Sequence, residues 1–228
     1  MTPLTVPAPV ARVLFDESHG EAWTISTERA SELQPVHPAD SSYAAAAAAL
    51  AARDLHVDAH RDGPLDAAAL AGVDVLVIAH PSEARWEKTD GRSPVFAPEE
   101  LDAIETWVRA GGGLVVLGET EQDKYGTNLG ELVSRFGIGF ANSTVYDYTH
   151  HLGDNPTWVL TEPGSAPGGA DLLARVDQAA FYRSGVLIVD APARAVLRTS
   201  ATADPAGAPV MAAAAAGLGR VAVLADSD

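Results

Sequence analysis

The chain has 228 residues, with 31 acidic against 15 basic side chains and 47% hydrophobic content. A formal charge of −16 repels polyanions, which argues against nucleic-acid and anionic-membrane surfaces. The sequence contains no cysteine, so disulfides, zinc–thiolate sites, iron–sulfur clusters and thiol nucleophiles are excluded within it. The length suits a single α/β domain over 1–228, with material for a sizeable core.

Three prolines and no basic residue in positions 1–10 predict a flexible N-terminus and not a secretory signal. Ala11–Phe15 is a short apolar run that breaks at Asp16-Glu17-Ser18-His19-Gly20, a strand entering a loop. Ser41 and Ser42 can cap a helix running through the alanine-rich stretch to Arg53, because alanine has the highest helix propensity. Leu55–Ala59 reads as a second strand, Leu65–Leu70 as a short helix and Val73–Ala79 as a buried strand. Pro98 opens a helix with Leu101, Ile104 and Val108 on one face. Glu99 and Glu100 suit its positive N-terminus, and Gly111-Gly112-Gly113 stops it. Leu114–Leu117 is the next strand, and Leu129, Leu132, Val133 and Phe136 mark another amphipathic helix. Apolar strands alternating with covering helices predict an α/β fold: a doubly wound, mainly parallel, flavodoxin-like sheet flanked by helices.

After Asn142 the pattern changes. Short strands are predicted at Thr157–Leu160, Gly185–Val189 and Ala195–Arg198, with a Pro/Gly/Ser loop at Pro163–Gly169. Pro209–Ala216 and Arg220–Ala225 flank Gly217-Leu218-Gly219 as a hairpin, so the C-terminal part is expected to be antiparallel. No stretch reaches the roughly 18 apolar residues of a membrane span, and a cytoplasmic protein is expected.

In an open α/β sheet, ligands bind outside the carboxyl ends of the strands. Those ends carry Asp16, Glu17, Ser18 and His19; His80, Pro81 and Ser82; Gly118, Glu119, Thr120 and Glu121; and Asp226, Ser227 and Asp228. Neighbouring strands lie about 4.8 Å apart, so these groups can converge on one crevice. Asp16, His19, His80 and Glu119 form the candidate catalytic set, with Glu17 and Ser82 as ligand-binding neighbours. Imidazole with carboxylate suits a divalent metal held by His19, His80 and Asp16, with an open position for activating water. No motif spacing fixes two such ligands on one element, and the alternative is that both histidines simply hold their turns by hydrogen bonds. Ser18 or Ser82 as a nucleophile lacks a GxSxG elbow.

Two further segments carry binding candidates. Glu119–Asn128 is long and polar for a strand-to-helix loop, and Lys124, Tyr125 and Asn128 there suit an anionic group; the alternative is an ordinary capped loop. It lacks the GxxxxGK[ST] spacing of a phosphate loop. Tyr146-Asp147-Tyr148-Thr149-His150-His151, followed by Trp158, concentrates aromatics and histidines as a lid would, or as a surface loop with incidental histidines. Trp86 and Trp107 read as packing residues.

Asp74–Pro81 (DVLVIAHP), the helix from Pro98, Gly112–Glu119 (GGLVVLGE), Asn128–Gly137 (NLGELVSRFG) and the terminal GRVAVLADSD resemble the class I glutamine amidotransferase-like fold, above all its ThuA-like and GldG-type branches. The resemblance spans nearly the whole chain. Amidotransferases of this class use a cysteine nucleophile at the turn after a central strand; here that turn holds Gly118 and Glu119. A carboxylate cannot replace a thiolate in thioester chemistry, so glutaminase activity is not expected. Such folds usually continue past the last strand into a closing loop and helix, which implies either a fragment or a site completed by a partner. Three functions follow as expectations. One is a binding module for a small polar ligand or protein partner. Another is a metal- or acid/base-dependent hydrolase or isomerase, with the ThuA-like resemblance implying carbohydrate. The third is a homo-oligomer or subunit of a larger assembly.

Overall fold

The computed structural model describes residues 10–164, 172–174, 176 and 178–228. The expected flexible N-terminus, apart from Val10, and most of the Pro163–Gly169 loop lie outside the described residues. Strand β1 (Arg12–Asp16) is followed by α1 (Thr27–Leu33), α2 (Ala44–Ala51), β2 (His56–His60) and β3 (Val75–Ala79). Next come α3 (Pro98–Arg109), β4 (Gly113–Leu117), α4 (Leu129–Ser134) and β5 (Ile138–Ala141). The remaining strands are β6 (Trp158–Pro163), β7 (Ala180–Tyr182), β8 (Val186–Val189), β9 (Arg194–Thr199), β10 (Pro209–Ala216) and β11 (Gly219–Leu224).

One sheet of nine strands runs in the order β2-β1-β3-β4-β11-β10-β9-β6-β7, and β5 pairs with β8 separately. From β2 through β11 the neighbours are parallel; from β11 through β7 they are antiparallel. The parallel strands are apolar runs such as VLVIA and GLVVL because helices cover both of their faces. On one face, Leu101, Ile104 and Val108 of α3 and Leu129, Leu132 and Val133 of α4 pack on Leu76, Ile78, Leu114 and Val116. On the other, Tyr43 and Leu50 lie over Val13, Phe15 and Val77. The predicted α/β architecture, with antiparallel strands towards the C-terminus, is therefore the observed one.

Local differences have physical reasons. Leu65–Leu70 is a turn and not a helix: Asp66 Oδ1 accepts from the amides of Ala68 and Ala69 at 2.8 and 2.9 Å, while Leu65 and Leu70 anchor into the core. Helix α1 (TERASEL) buries only Ala30 and so lacks the apolar stripe that would announce it; the Ser26 side chain caps it. Helix α2 begins after Tyr43, with no residue fully buried, and Ser42 Oγ accepts from the Ala44 amide at 3.2 Å. Strands β5 and β7 are too short to show a period, so the sequence pattern does not announce them. The hairpin turn comes so close to the end of α3 that a Cβ on Gly219 would collide with the Val108 carbonyl.

The position of β11 matters most for function. It enters beside β4, in parallel, with Leu224 opposite Leu117. The His80 amide donates to Leu117 O at 3.0 Å, and the Gly118 amide donates to Leu224 O at 2.9 Å. This register sets the residues after β3, β4 and β11 side by side at the carboxyl ends of these parallel strands.

Candidate functional site

The loop after β1 folds onto itself. His19 Nδ1 lies 2.7 Å from Asp16 Oδ2, His19 Nε2 lies 3.1 Å from Glu100 Oε1, and the ring stacks on Phe96 at 4.0 Å. Glu100 is itself fixed, accepting from the amides of Leu65 and Ala97 at 2.8 Å each. Burial opposes charge on His19, but the Asp16 hydrogen bond and charge, joined by Glu100, raise its pKa above the ordinary 6.5. Burial likewise opposes ionisation of Asp16, yet His19 holds it below 3.8. Glu21 is driven well above its usual range, first by burial and then by the Asp16 charge. Its Oε2 accepts from the His19 amide at 2.9 Å, while its Oε1 has no hydrogen-bond partner among the described residues. His19 with Asp16 is thus an internal ion pair that ties the β1 loop to the start of α3.

Glu17 is equally internal. Its carboxylate accepts from Thr24 Oγ1 and the Ile25 amide at 2.8 Å and from Arg61 Nε at 3.1 Å. Ser82 is fully buried and donates to the Glu83 carbonyl.

A cavity of about 160 Å³ opens at the ends of β3, β4 and β11. The buried His80, Glu119, Thr120, Tyr125 and Ser227 and the exposed Asp228 line it, together with Trp23, Glu87, Lys88, Tyr182 and Arg183. His80 is 2% exposed, yet neither ring nitrogen has a hydrogen-bond partner among the described residues. Its backbone sits at φ +52°, a left-handed conformation uncommon outside glycine and typical of strained functional positions. Its ring meets the edge of Tyr125 at 4.4 Å, and the nearest carboxylate oxygen, Glu87 Oε1, is 4.0 Å away. Glu119 accepts from Ser227 Oγ at 2.6 Å and from the Thr120 amide at 3.1 Å. Glu119 can sit so low because the preceding Gly118 leaves room for the Phe140 ring and the Gln122 side chain, which a Cβ would strike.

Acid crowds this end of the sheet. One oxygen each from Glu119, Asp226 and Asp228 lie within 4.8 Å of one another. Burial, then the Glu119 charge, pushes Asp226 up to about 8 and Asp228 up to about 6. Burial and the same three carboxylates drive the Tyr43 phenol upward too; its hydroxyl donates to the Ser227 carbonyl. Tyr43 also stacks on Trp23 at 4.8 Å, and Trp23 Nε1 donates to Ser227 Oγ at 3.1 Å, so an aromatic pair braces the end of β11.

Of the catalytic candidates, His80 and Glu119 share the cavity, whereas Asp16 and His19 turn away from it. The metal set His19, His80 and Asp16 is not assembled, because both His19 nitrogens already face carboxylates. Among the binding candidates only Tyr125 lines the cavity. Lys124 pairs with Glu121 at 3.0 Å and lies over the Tyr125 ring. Asn128 clamps Phe96 through both backbone groups at 2.9 Å. His150 and His151 lie beside β6, where His151 bridges Val159; the expected lid does not cover the cavity. Asp147 organises that loop, accepting from the amides of Thr149 and His150 and from Ser200 and Thr202. Trp107 packs as expected, whereas Trp86 is 49% exposed beneath Arg85. Trp23, Tyr182, Arg183, Asp226 and Asp228 complete the site; an aromatic four residues after His19 is the one sequence signal for any of the first three.

No family model matches the sequence, and no curated protein matches it. Among solved structures, the chain is similar to the "mmIFT52 N-terminal domain" (20% identical, TM-score 0.70, covering 94% of this chain and 86% of that one). It is also similar to cytoplasmic protein STM1381 from Salmonella typhimurium LT2 (13% identical, TM-score 0.56, 95% and 88% covered). A putative ThuA-like protein from Bacteroides uniformis matches over 100% of this chain and 86% of that one (13% identical, TM-score 0.51). At these identities the likeness is one of fold: an open α/β domain of the architecture that a ThuA-like protein also has. Among the described residues, no helix is long and apolar enough to cross a membrane.

Proposed function

We propose that the chain is a ligand-binding domain on an amidotransferase-like scaffold, without glutaminase chemistry, whose cavity at the ends of β3, β4 and β11 accepts a small polar ligand. The observation that carries this reading is His80: a buried imidazole with two nitrogens unpaired among the described residues, held in a strained conformation and lining a polar cavity. Leaving such a group unsatisfied costs about 1–3 kcal/mol, which a ligand hydroxyl or amine recovers on binding. The volume, about 160 Å³, is well below that of sites for drug-sized molecules, so the ligand is small. Glu119, Asp228 and Glu87 supply acceptors, while Arg183 and Lys88 supply donors, a mixture suited to a polyol or amino compound. The test is calorimetric titration of the chain against a panel of small polyols, amines and amino acids. Saturable binding that is lost in Ala22→Leu, which narrows the cavity wall, is expected. No binding across the panel, or binding unchanged in that variant, refutes it.

A second reading is favoured by the same residue: acid–base catalysis with His80 opposite Asp228. Its residues are His80, Glu119 and Asp228 and no longer Asp16 or His19. Turnover of a bound polyol that disappears in His80→Asn, while binding persists, would select this reading over simple binding.

A further inference from the structure

We infer that Glu119, Asp226 and Asp228 form a binding site for one divalent cation, with His80, which lines the same cavity as Glu119 and Asp228, as a further ligand. The inference deepens the cavity reading above and rests on it. The geometry is assembled by topology: β4 delivers Glu119, the adjacent parallel strand β11 delivers Asp226 and Asp228, and β3 delivers His80. The three carboxylates already offer oxygens within 4.8 Å of one another. Three oxygens bound to a common ion at about 2.1 Å lie about 3.0–3.6 Å apart, so a contraction of up to about 1.8 Å brings them into coordination.

Acidic clusters are common, and this one is distinguished by the fourth group. His80 is buried, unpaired at both nitrogens and shares the cavity with Glu119 and Asp228. An imidazole with three carboxylate oxygens suits manganese, iron or zinc better than calcium, and the cavity leaves room for water on the open side. The other compact group, Asp16, His19 and Glu21, has a comparable spacing but no free imidazole nitrogen and no cavity. A cation offsets the like charges that Glu119, Asp226 and Asp228 place within 4.8 Å of one another, and the cavity wall also carries Arg183 and Lys88.

The experiment uses the whole chain, stripped with chelator and dialysed, and Mn²⁺ as the probe in about 0.15 M salt, which screens loose adsorption by a −16 surface. Electron paramagnetic resonance counts bound ion. One saturable equivalent is expected, with affinity falling at least tenfold in Glu119→Gln and in Asp228→Asn. Asp226 is left intact because its carboxylate also holds the Tyr182 amide at 2.5 Å, so its variants would test folding as well. His80→Asn, which tolerates the left-handed backbone, should abolish the nitrogen coupling seen at bound Mn²⁺ by electron spin-echo modulation. Absence of a saturable ion, affinity unchanged in both carboxylate variants, or nitrogen coupling that survives His80→Asn overturns the site. If stripped protein binds a polyol or amine in an Ala22→Leu-sensitive way but no Mn²⁺, the cation inference fails while the cavity reading stands.

Discussion

The internal pair of His19 with Asp16 yields a prediction that needs no ligand. His19→Ala leaves Asp16 and Glu100 buried, like-charged and without their common partner. Removing one member of a buried ion pair costs about 3–5 kcal/mol, and loss of the ring stacked on Phe96 adds to that. Against a total stability of about 5–15 kcal/mol for a domain, the variant should be markedly destabilised. The pH dependence identifies the cause. His19 has a raised folded pKa, so its contribution is complete below the unfolded value of 6.5 and declines as pH rises through the folded value. Asp16 has a lowered folded pKa, so its contribution is complete above 3.8 and is lost as pH falls through the folded value. The pair therefore stabilises most between these two limits, and each tenfold difference in proton affinity between the folded and unfolded chain is worth about 1.4 kcal/mol. Urea denaturation of wild type and His19→Ala, followed by tryptophan fluorescence at pH 6 and pH 9, measures the gap directly. The gap should be larger at pH 6. A gap that is equal at both pH values, or larger at pH 9, refutes the charged pair and leaves His19 as a packing residue.

Three other substitutions probe separate parts of the fold and site. Asp147→Ala removes the acceptor of two amides and two hydroxyls in a fully buried setting and should cost at least about 3 kcal/mol in chemical denaturation, whereas a loop that merely covers the surface would lose less than about 0.5 kcal/mol. Ile104→Ala, at the fully buried centre of the α3 face, should lower stability by about 2–5 kcal/mol, measured the same way. Glu119→Gln in chelator-treated protein should raise the thermal midpoint, because it removes one of three crowded charges while keeping an acceptor for Ser227 Oγ; a lowered midpoint would show that the acid cluster is not repulsive.

What was legible in the sequence follows from what each element buries. β1, β3 and β4 declare themselves as apolar runs, and α3 declares itself by Leu101, Ile104 and Val108 behind a proline, since both patterns are imposed by one continuous core. α1 buries a single alanine, so its pattern is that of a loop. The strand-end rule found the cavity through His80 and Glu119 but also gathered Asp16, Glu17 and His19, which lie at a strand end and still point inward. Nothing in the sequence says that Glu100, placed well as a helix N-terminal acid, is instead spent on His19. Arg183 and Tyr182 reach the cavity only because the chain leaving β7 runs past the end of β11, where the Tyr182 amide donates to Asp226 and the Gly185 amide to the Ala225 carbonyl, long-range contacts with no local signature.

The insertion of β11 links the fold to its chemistry. A hairpin partner of β10 would ordinarily lie at a sheet edge; here β11 is wedged between β10 and β4, so its exit falls at the centre of the molecule. Asp226 is therefore buried, and the exposed Asp228 held, near Glu119 in a way that raises their proton affinity and works against folding when they are charged. A cation that binds the folded state alone stabilises it by RT ln(1 + [L]/Kd), about 2.7 kcal/mol at a hundredfold excess over Kd. If the acid cluster is the seat of that binding, the gain from Mn²⁺ must fall to about 1.4 kcal/mol or less in Glu119→Gln, whose Kd is at least tenfold higher, even though that variant is the more stable protein in chelator. Opposite signs in the two conditions separate a cation site from a cluster that is only repulsive, and from a surface that merely attracts counterions.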